Sequence, residues 1–316
     1  MTLPQSYFDY PFRRPGMDHE RYPYSNLFKR QPMQWPGGAR VALWIVPTLE
    51  FFPLDMAPKP VKPAGGLERP YPDYWNYTLR DYGNRVGFAR IFRALESRKL
   101  KASVAMSSRL AERYPHVVQE VNRLGFELIA HGIDMQHIHA TGVPREVERQ
   151  WIETCLSSLR RVSGQAVKGW YSPAYSETGD TLDLIAADGC DYVCDWVNDD
   201  MPYRLQTETG SLYAMPHAFE VSDLQIFHFY KYKPAQFVEQ VMDHFAWLYR
   251  EAATSGGRIV TLSLRPWISG VPHRIAAIEQ VLDGMLRHGG VWSATGAEIL
   301  ACYKAQDRGA DRARKG

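Results

Sequence analysis

Six polar segments of this 316-residue chain carry residue types that can activate water or hold an acyl group. Thr48 and Glu50 follow the apolar run Arg40-Val-Ala-Leu-Trp-Ile-Val46, and His131-Gly-Ile-Asp134 follows Phe126-Glu-Leu-Ile-Ala130. Trp170, Tyr171 and Ser172 end a third run; Asn198-Asp199-Asp200, His217 with Glu220, and Arg265-Pro-Trp267 complete the set. Amide hydrolysis needs an activated water, a donor or cation for the oxyanion and a proton for the leaving nitrogen. One carboxylate, one imidazole and one guanidinium supply those needs, and indoles supply apolar walls. Singly, each residue also has a structural reading: Glu50 as a loop carboxylate, Asp199 as a helix cap, His131 as a core histidine, Arg265 as a rim salt bridge. Their joint placement at strand ends is what points to a site. Glu50, His131 and Arg265 are the expected catalytic group, with Glu50 as base or its orienter, His131 as proton carrier and Arg265 as electrostatic stabiliser. Trp170, Ser172, Asp134, Asp199, His217 and Trp267 are the expected substrate-binding group.

Three histidines, His131, His137 and His139, lie within nine residues and invite a metal. A helical i, i+4 partner for His131 would stand at 135, where the chain has Met135, and His137 and His139 share a face only in extended chain. No metal is therefore assigned, with a divalent ion such as zinc as the alternative. There is no Gly-x-Ser-x-Gly elbow, and Ser172 precedes Pro173 without an adjacent base, which argues against a serine triad.

These segments need a frame. Strand-like apolar runs at 40–46, 102–106, 126–130, 167–171, 192–196, 211–215, 224–229, 258–264 and 291–294 alternate with helical periods. The helical stretches are 87–98, 114–124, 145–162, 181–188, 234–253 and 273–288. Such alternation predicts an α/β domain with a parallel sheet covered by helices, either closed as a barrel or open and doubly wound. In a barrel, the residues just past the strand C-termini converge on one mouth. No Gly-x-Gly-x-x-Gly follows the first strand, so a dinucleotide site loses its main support. Residues 1–38, rich in Pro, Tyr, Phe and Arg, read as an extended arm. The main domain occupies 39–303, with a Pro-rich loop containing Asp55 and Gly65-Gly66 after the first strand, and the charged segment 304–316 reads as a frayed tail.

A 45% hydrophobic, 13% aromatic chain of this length can bury a large core. Its 37 Lys and Arg balance 35 Asp and Glu, so there is no basic footprint for nucleic acid or an anionic membrane. No stretch approaches the ~20 apolar residues of a membrane span, and no apolar segment follows basic residues at the N-terminus, so a cytoplasmic address is expected. Cys155, Cys190, Cys194 and Cys302 form no C-x-x-C pair and read as free thiols.

Longer strings carry a family resemblance. Asn76-Tyr-Thr-Leu-Arg-Asp-Tyr-Gly-Asn-Arg-Val-Gly87, Glu112-Arg-Tyr-Pro-His-Val-Val118, Gly125-Phe-Glu-Leu-Ile-Ala-His-Gly132, Val197-Asn-Asp-Asp-Met-Pro-Tyr203 and Leu262-Ser-Leu-Arg-Pro-Trp-Ile-Ser-Gly270 closely resemble the allantoinase-like branch of the polysaccharide-deacetylase-like family. The resemblance implies a distorted (β/α) barrel of about seven parallel strands and hydrolysis of carbon–nitrogen bonds other than peptide bonds. It implies ring opening of ureides or cyclic imides in one branch, and metal-dependent N-deacetylation of sugars in another. The deacetylase branch uses an Asp and an H-x-x-x-H pair, where this chain has Glu50, His131 and Met135, and an acid His where it has Arg265. The allantoinases have Trp-Arg at Ile133-Asp134, His at Arg265 and Tyr at His217, so a related imide, ureide or amide is expected rather than allantoin itself. Metal-dependent sugar deacetylation and ligand binding without turnover are the alternatives. The expected partners are a small-molecule substrate and, through the aromatic arm, sister copies in a dimer or tetramer.

Overall fold

The computed structural model describes residues 19–56 and 72–315, with side chains described as far as residue 307. The Gly65-Gly66 segment and the first half of the expected arm lie outside the described residues. Among the described residues nine strands form one sheet: β1 (Val41–Leu49), β2 (Ser103–Met106), β3 (Glu127–Ala130), β4 (Gly169–Trp170), β5 (Tyr192–Val193), β6 (Tyr203–Leu205), β7 (Leu212–Ala214), β8 (Arg258–Leu264) and β9 (Val291–Ser293). Their order is β6-β7-β5-β4-β3-β2-β1-β8, with β9 paired to the start of β1. Seven of these, from β7 round to β8, run parallel, and β6 is an antiparallel addition on β7. This curled sheet is the distorted barrel expected from the resemblance.

Helices α1 (Tyr74–Tyr82), α2 (Phe88–Glu96), α3 (Ser108–Arg113), α4 (Pro115–Arg123), α5 (Arg145–Ser163), α6 (Thr181–Ala187), α7 (Pro234–Ser255), α8 (Pro266–Ser269), α9 (Pro272–Leu286) and α10 (Gly296–Lys315) connect the strands. Their apolar faces are those of the helical periods. In α2, Phe88, Ile91, Phe92 and Leu95 are buried together. Where a frayed tail was expected, the backbone of 304–315 continues α10.

β1 and β8 are buried along their whole length, so β1 is a nearly continuous apolar run and even Thr261 and Ser263 of β8 are buried. Leu43 and Ile45 of β1 join a large core beneath the helices, whereas Ala42, Trp44 and Val46 join a second core inside the barrel. Continuing that two-residue period upward places Thr48 and Glu50 on the inner face at the mouth. The same alternation runs through Ile129 and Tyr171, Tyr192 and Cys194, Tyr213 and Met215.

One expected strand is a helix instead. Leu224–Phe229 forms a π-helical turn, with Ser222 capping Gln225 N and with the adjacent Ile226 and Phe227 both buried. Phe227 stacks on Phe237 of α7 at 4.8 Å. Ile226 N donates to the Ser222 carbonyl and Tyr230 N to the Gln225 carbonyl, so this backbone bonds locally and not to a neighbouring strand. The second half of the arm lies on its own domain. Arg21 is buried in a two-pronged bond to Asp183, Trp35 donates to the Arg258 carbonyl, and Arg30 pairs with Asp199.

Candidate active site

Glu50, His131 and Arg265 come from the ends of β1, β3 and β8 and meet at the mouth. Arg265 Nε donates to Glu50 Oε1 at 3.1 Å, and Trp267 Nε1 donates to Glu50 Oε2 at 2.9 Å. His131 Nε2 lies 3.9 Å from Glu50 Oε1. Burial alone would raise the Glu50 carboxyl. The Arg265 charge, contact with His131 and the Trp267 donor outweigh burial and hold it at about 2. Glu50 is therefore a fixed anion. His131 Nδ1 sits 2.7 Å from the Tyr171 carbonyl oxygen, which can only accept, so Nδ1 carries the proton. In the neutral ring that leaves Nε2 as a lone pair, and it is buried without a hydrogen-bond partner.

A second tier surrounds these three. Arg265 Nη2 donates to the Tyr171 hydroxyl at 2.9 Å, and Nη1, also without a hydrogen-bond partner, lies 3.9 Å from Asp223 Oδ1. Asp223 Oδ2 accepts from Arg265 N at 2.6 Å and from Ser269 Oγ. One guanidinium thus faces two carboxyls. Burial pushes Asp223 up to about 7 despite Arg265, whose charge instead serves Glu50. Across the mouth Tyr175 Oη and His217 Nδ1 are 3.1 Å apart, and the His217 ring lies 4.9 Å from Tyr171. Burial, then Arg265 and His131, push His217 down to about 3, so its ring is neutral at physiological pH.

Glycines permit this convergence. Gly132, directly after His131, has φ +63°, and a Cβ there would stand 2.5 Å from Pro173 Cγ. Pro173 can thus lie against Gly132, and after Ala174 and Tyr175, both at positive φ, Tyr175 stands beside His217. The Asp81-Tyr-Gly-Asn-Arg-Val-Gly87 string forms a π turn over Gly83–Gly87, a local widening common at functional sites. A Cβ at Gly83 would meet Trp267 N at 2.5 Å and one at Gly87 Pro266 O at 2.2 Å. Their absence lets this turn seat Trp267 against Glu50, while Asn84 Nδ2 donates to the Glu50 carbonyl at 3.0 Å.

Residues 76–193, which span β2 to β5, match the model of the polysaccharide deacetylase family. Over that segment, a little more than a third of the chain, the sequence is similar to polysaccharide deacetylases. A Schizosaccharomyces pombe protein named as a candidate polysaccharide deacetylase is 25% identical over 248 residues, covering 72% of this chain and 75% of that protein. The fold is shared with the Puue allantoinase crystal structure (24% identity, TM-score 0.79, covering 90% of this chain and 98% of that one). It is shared equally with a probable polysaccharide deacetylase from Pseudomonas aeruginosa PAO1 (24% identity, TM-score 0.79, 89% and 98% covered).

The residues around Glu50, which lies outside the matched segment, do not fit a divalent cation. Both Glu50 oxygens accept from Arg265 and Trp267, and the Arg265 guanidinium fills the space beside Oε1. Met135 stands where a second histidine would be needed, and among the described residues no three His, Cys, Asp or Glu side chains gather closely enough to hold an ion. The other two histidines of the cluster are held elsewhere. His137 Nδ1 is 2.6 Å from Asp134 Oδ1, and His139 Nδ1 is 2.9 Å from Glu148 Oε1.

The remaining sequence-derived site residues divide. Trp267 and His217 face the mouth. Trp170 does not: as the neighbour of inward-facing Tyr171 it points to the helix side, wholly buried, and donates to Ser172 Oγ at 2.8 Å. An indole one residue out of phase cannot line the mouth. Ser172 is committed to Trp170 and, through its backbone N–H, to Asp195. Asp134 caps its own loop and pairs with Arg109 at 2.8 Å. Asp199 pairs with Arg30 and bonds to Met201 N, beside a cleft that also reaches His217. Tyr171 stood among the strand-end residues without an assigned role, and Tyr175, Asp223 and Asn84 were not singled out. The inward period from His131 and Glu50 was the available signal for Tyr171; nothing in the sequence links Asp223 to Arg265, 42 residues away.

Proposed function

We propose that this deacetylase-family hydrolase cleaves carbon–nitrogen bonds of a small cyclic imide, ureide or related amide without a catalytic metal. The observation that carries the reading is that Arg265, a permanent cation, lies against Glu50, leaving Arg265 Nη1 and His131 Nε2 as two buried polar atoms without hydrogen-bond partners. A free donor and a free lone pair at one mouth are what acyl transfer to water requires.

In this reading His131 Nε2 takes a proton from water as the hydroxyl oxygen bonds to the substrate carbonyl carbon. The resulting imidazolium faces the Glu50 carboxylate at 3.9 Å. Glu50, held at about 2, is too weak a base to take the proton itself and acts by stabilising that charge. The carbonyl electrons move to oxygen, and Arg265 Nη1 stabilises the oxyanion; with a side-chain pKa above ~12 it cannot donate the proton. When the oxyanion collapses, the carbon–nitrogen bond breaks and His131 returns the proton to the departing nitrogen. Tyr171 holds both partners, through its carbonyl to His131 and its hydroxyl to Arg265. Turnover of a panel of cyclic imides, ureides and acetylated amino sugars tests the reading. Hydrolysis of an imide, ureide or simple amide supports it, and hydrolysis confined to acetylated sugars overturns it.

A further inference from the structure

The sheet does not close between β7 and β8. Thr261 Oγ1 of β8 instead donates to the Pro216 carbonyl just past β7, and beside this seam opens a cleft of about 290 Å³. Its lining brings together Asp199, Asp200 and Glu220, the imidazoles of His217 and His244, and apolar surface including Phe219. His217 joins the cleft to the active site. It is 2% exposed, its Nε2 has no hydrogen-bond partner, and its ring packs on Tyr171, which holds Arg265. A polar atom buried this deeply at the end of a cleft is costly unless something enters to meet it.

The charges on the lining have one sign. Arg30 offsets Asp199, but among the described residues Asp200 is exposed with no ion pair and Glu220 is held only by the Tyr230 hydroxyl. The imidazoles do not offset these carboxylates, since burial pushes both His217 and His244 down. The carboxylates and imidazoles are too dispersed to share a metal ion. With apolar walls between them, they suit a larger cation that carries carbon.

We infer that this cleft is a subsite for an organic cation, so that the substrate is an amide bearing an ammonium or amidinium group. Its carbonyl lies at Arg265 and His131, and its cation reaches past His217 to Asp200 and Glu220. This assignment rests on the amide-hydrolase reading for the carbonyl end, but the cationic end stands on the cleft alone.

Calorimetric titration of the full chain with N-acetylputrescine and with N-butylacetamide, an uncharged amide of similar length, tests it. At low salt the cationic probe is expected to bind about fivefold to tenfold more tightly, the range for one or two partly exposed ion pairs. The Asp200→Asn/Glu220→Gln double variant, altered only at exposed positions, should collapse that difference while its thermal midpoint stays within a few degrees. Equal affinity for the two probes, or a preference that survives the double variant, would overturn the subsite. Product analysis separates the two claims. Tight, charge-dependent binding without product keeps the subsite and overturns the hydrolase reading, whereas hydrolysis of both probes at equal affinity does the reverse.

Discussion

Arg265 donates from Nε to Glu50 Oε1 over 3.1 Å with both side chains buried, and this contact decides the charge state of the whole mouth. The same guanidinium reaches Asp223 only at 3.9 Å. Glu50 is therefore ionised, and Asp223 is the carboxyl that takes up a proton most readily. Glu50→Gln strands a buried cation and is expected to cost about 3–5 kcal/mol of unfolding free energy, whereas Asp223→Asn, which mimics the neutral acid, should stay within about 1 kcal/mol. Denaturant titrations at pH 7 of the two variants check this. Equal losses would show that Arg265 does not discriminate between them.

The two carboxyls also give stability opposite pH slopes. Glu50 is lowered from 4.5 to about 2, so its contribution is complete above 4.5 and is lost as pH falls from 4.5 toward 2. Asp223 is raised from 3.8 to about 7, so it lowers stability as pH rises from about 4 through 7. Unfolding free energy measured against pH should therefore decline on both flanks, and Asp223→Asn should make the fall between pH 4 and 7 shallower while leaving the acid flank unchanged, with Asp195, also raised to about 7, supplying the rest. An alkaline flank unchanged in Asp223→Asn would remove that assignment.

For Arg265→Ala the expected loss is in kcat, by on the order of 10²-fold, with a smaller rise in KM, because an oxyanion donor acts chiefly in the transition state. A rise in KM with kcat unchanged would mean that Arg265 holds a substrate anion from ground state to product.

The proposed catalytic trio was legible because strand ends are easy to find in a parallel fold. The strands ending at Leu49, Ala130 and Leu264 are mostly apolar, and Glu50, His131 and Arg265 follow them directly. Trp170 shows the limit of that reading. Proximity to a strand end does not give direction, and one step of the two-residue period separates it from Tyr171. The π turns at Gly83–Gly87 and Leu224–Phe229 were not legible, since each depends on contacts remote in sequence: Trp267 against Gly83, and Phe237 against Phe227. The specific strings of the resemblance supplied the barrel where periodicity left two folds open, and Gly83, Asn84 and Gly87 give one of those strings its physical reason.

Tyr24 and Phe28 of the arm are 82% and 96% exposed, a costly placement for two aromatic rings close in sequence. A homo-oligomer in which the arm meets a neighbouring copy would cover them. Light scattering at micromolar concentration should then give a dimer or tetramer, and Tyr24→Asp/Phe28→Asp should shift it toward monomer. A monomeric unaltered protein would contradict this arrangement.

The central claim is that Arg265, lying against Glu50, provides the positive charge for amide hydrolysis without a metal. It is tested most directly by turnover of the best substrate of the imide, ureide and amide panel, measured on chelator-treated protein whose metal content is determined in the same sample. The account predicts substoichiometric zinc and undiminished kcat in chelator. Loss of activity in chelator with recovery on adding a divalent ion would contradict it.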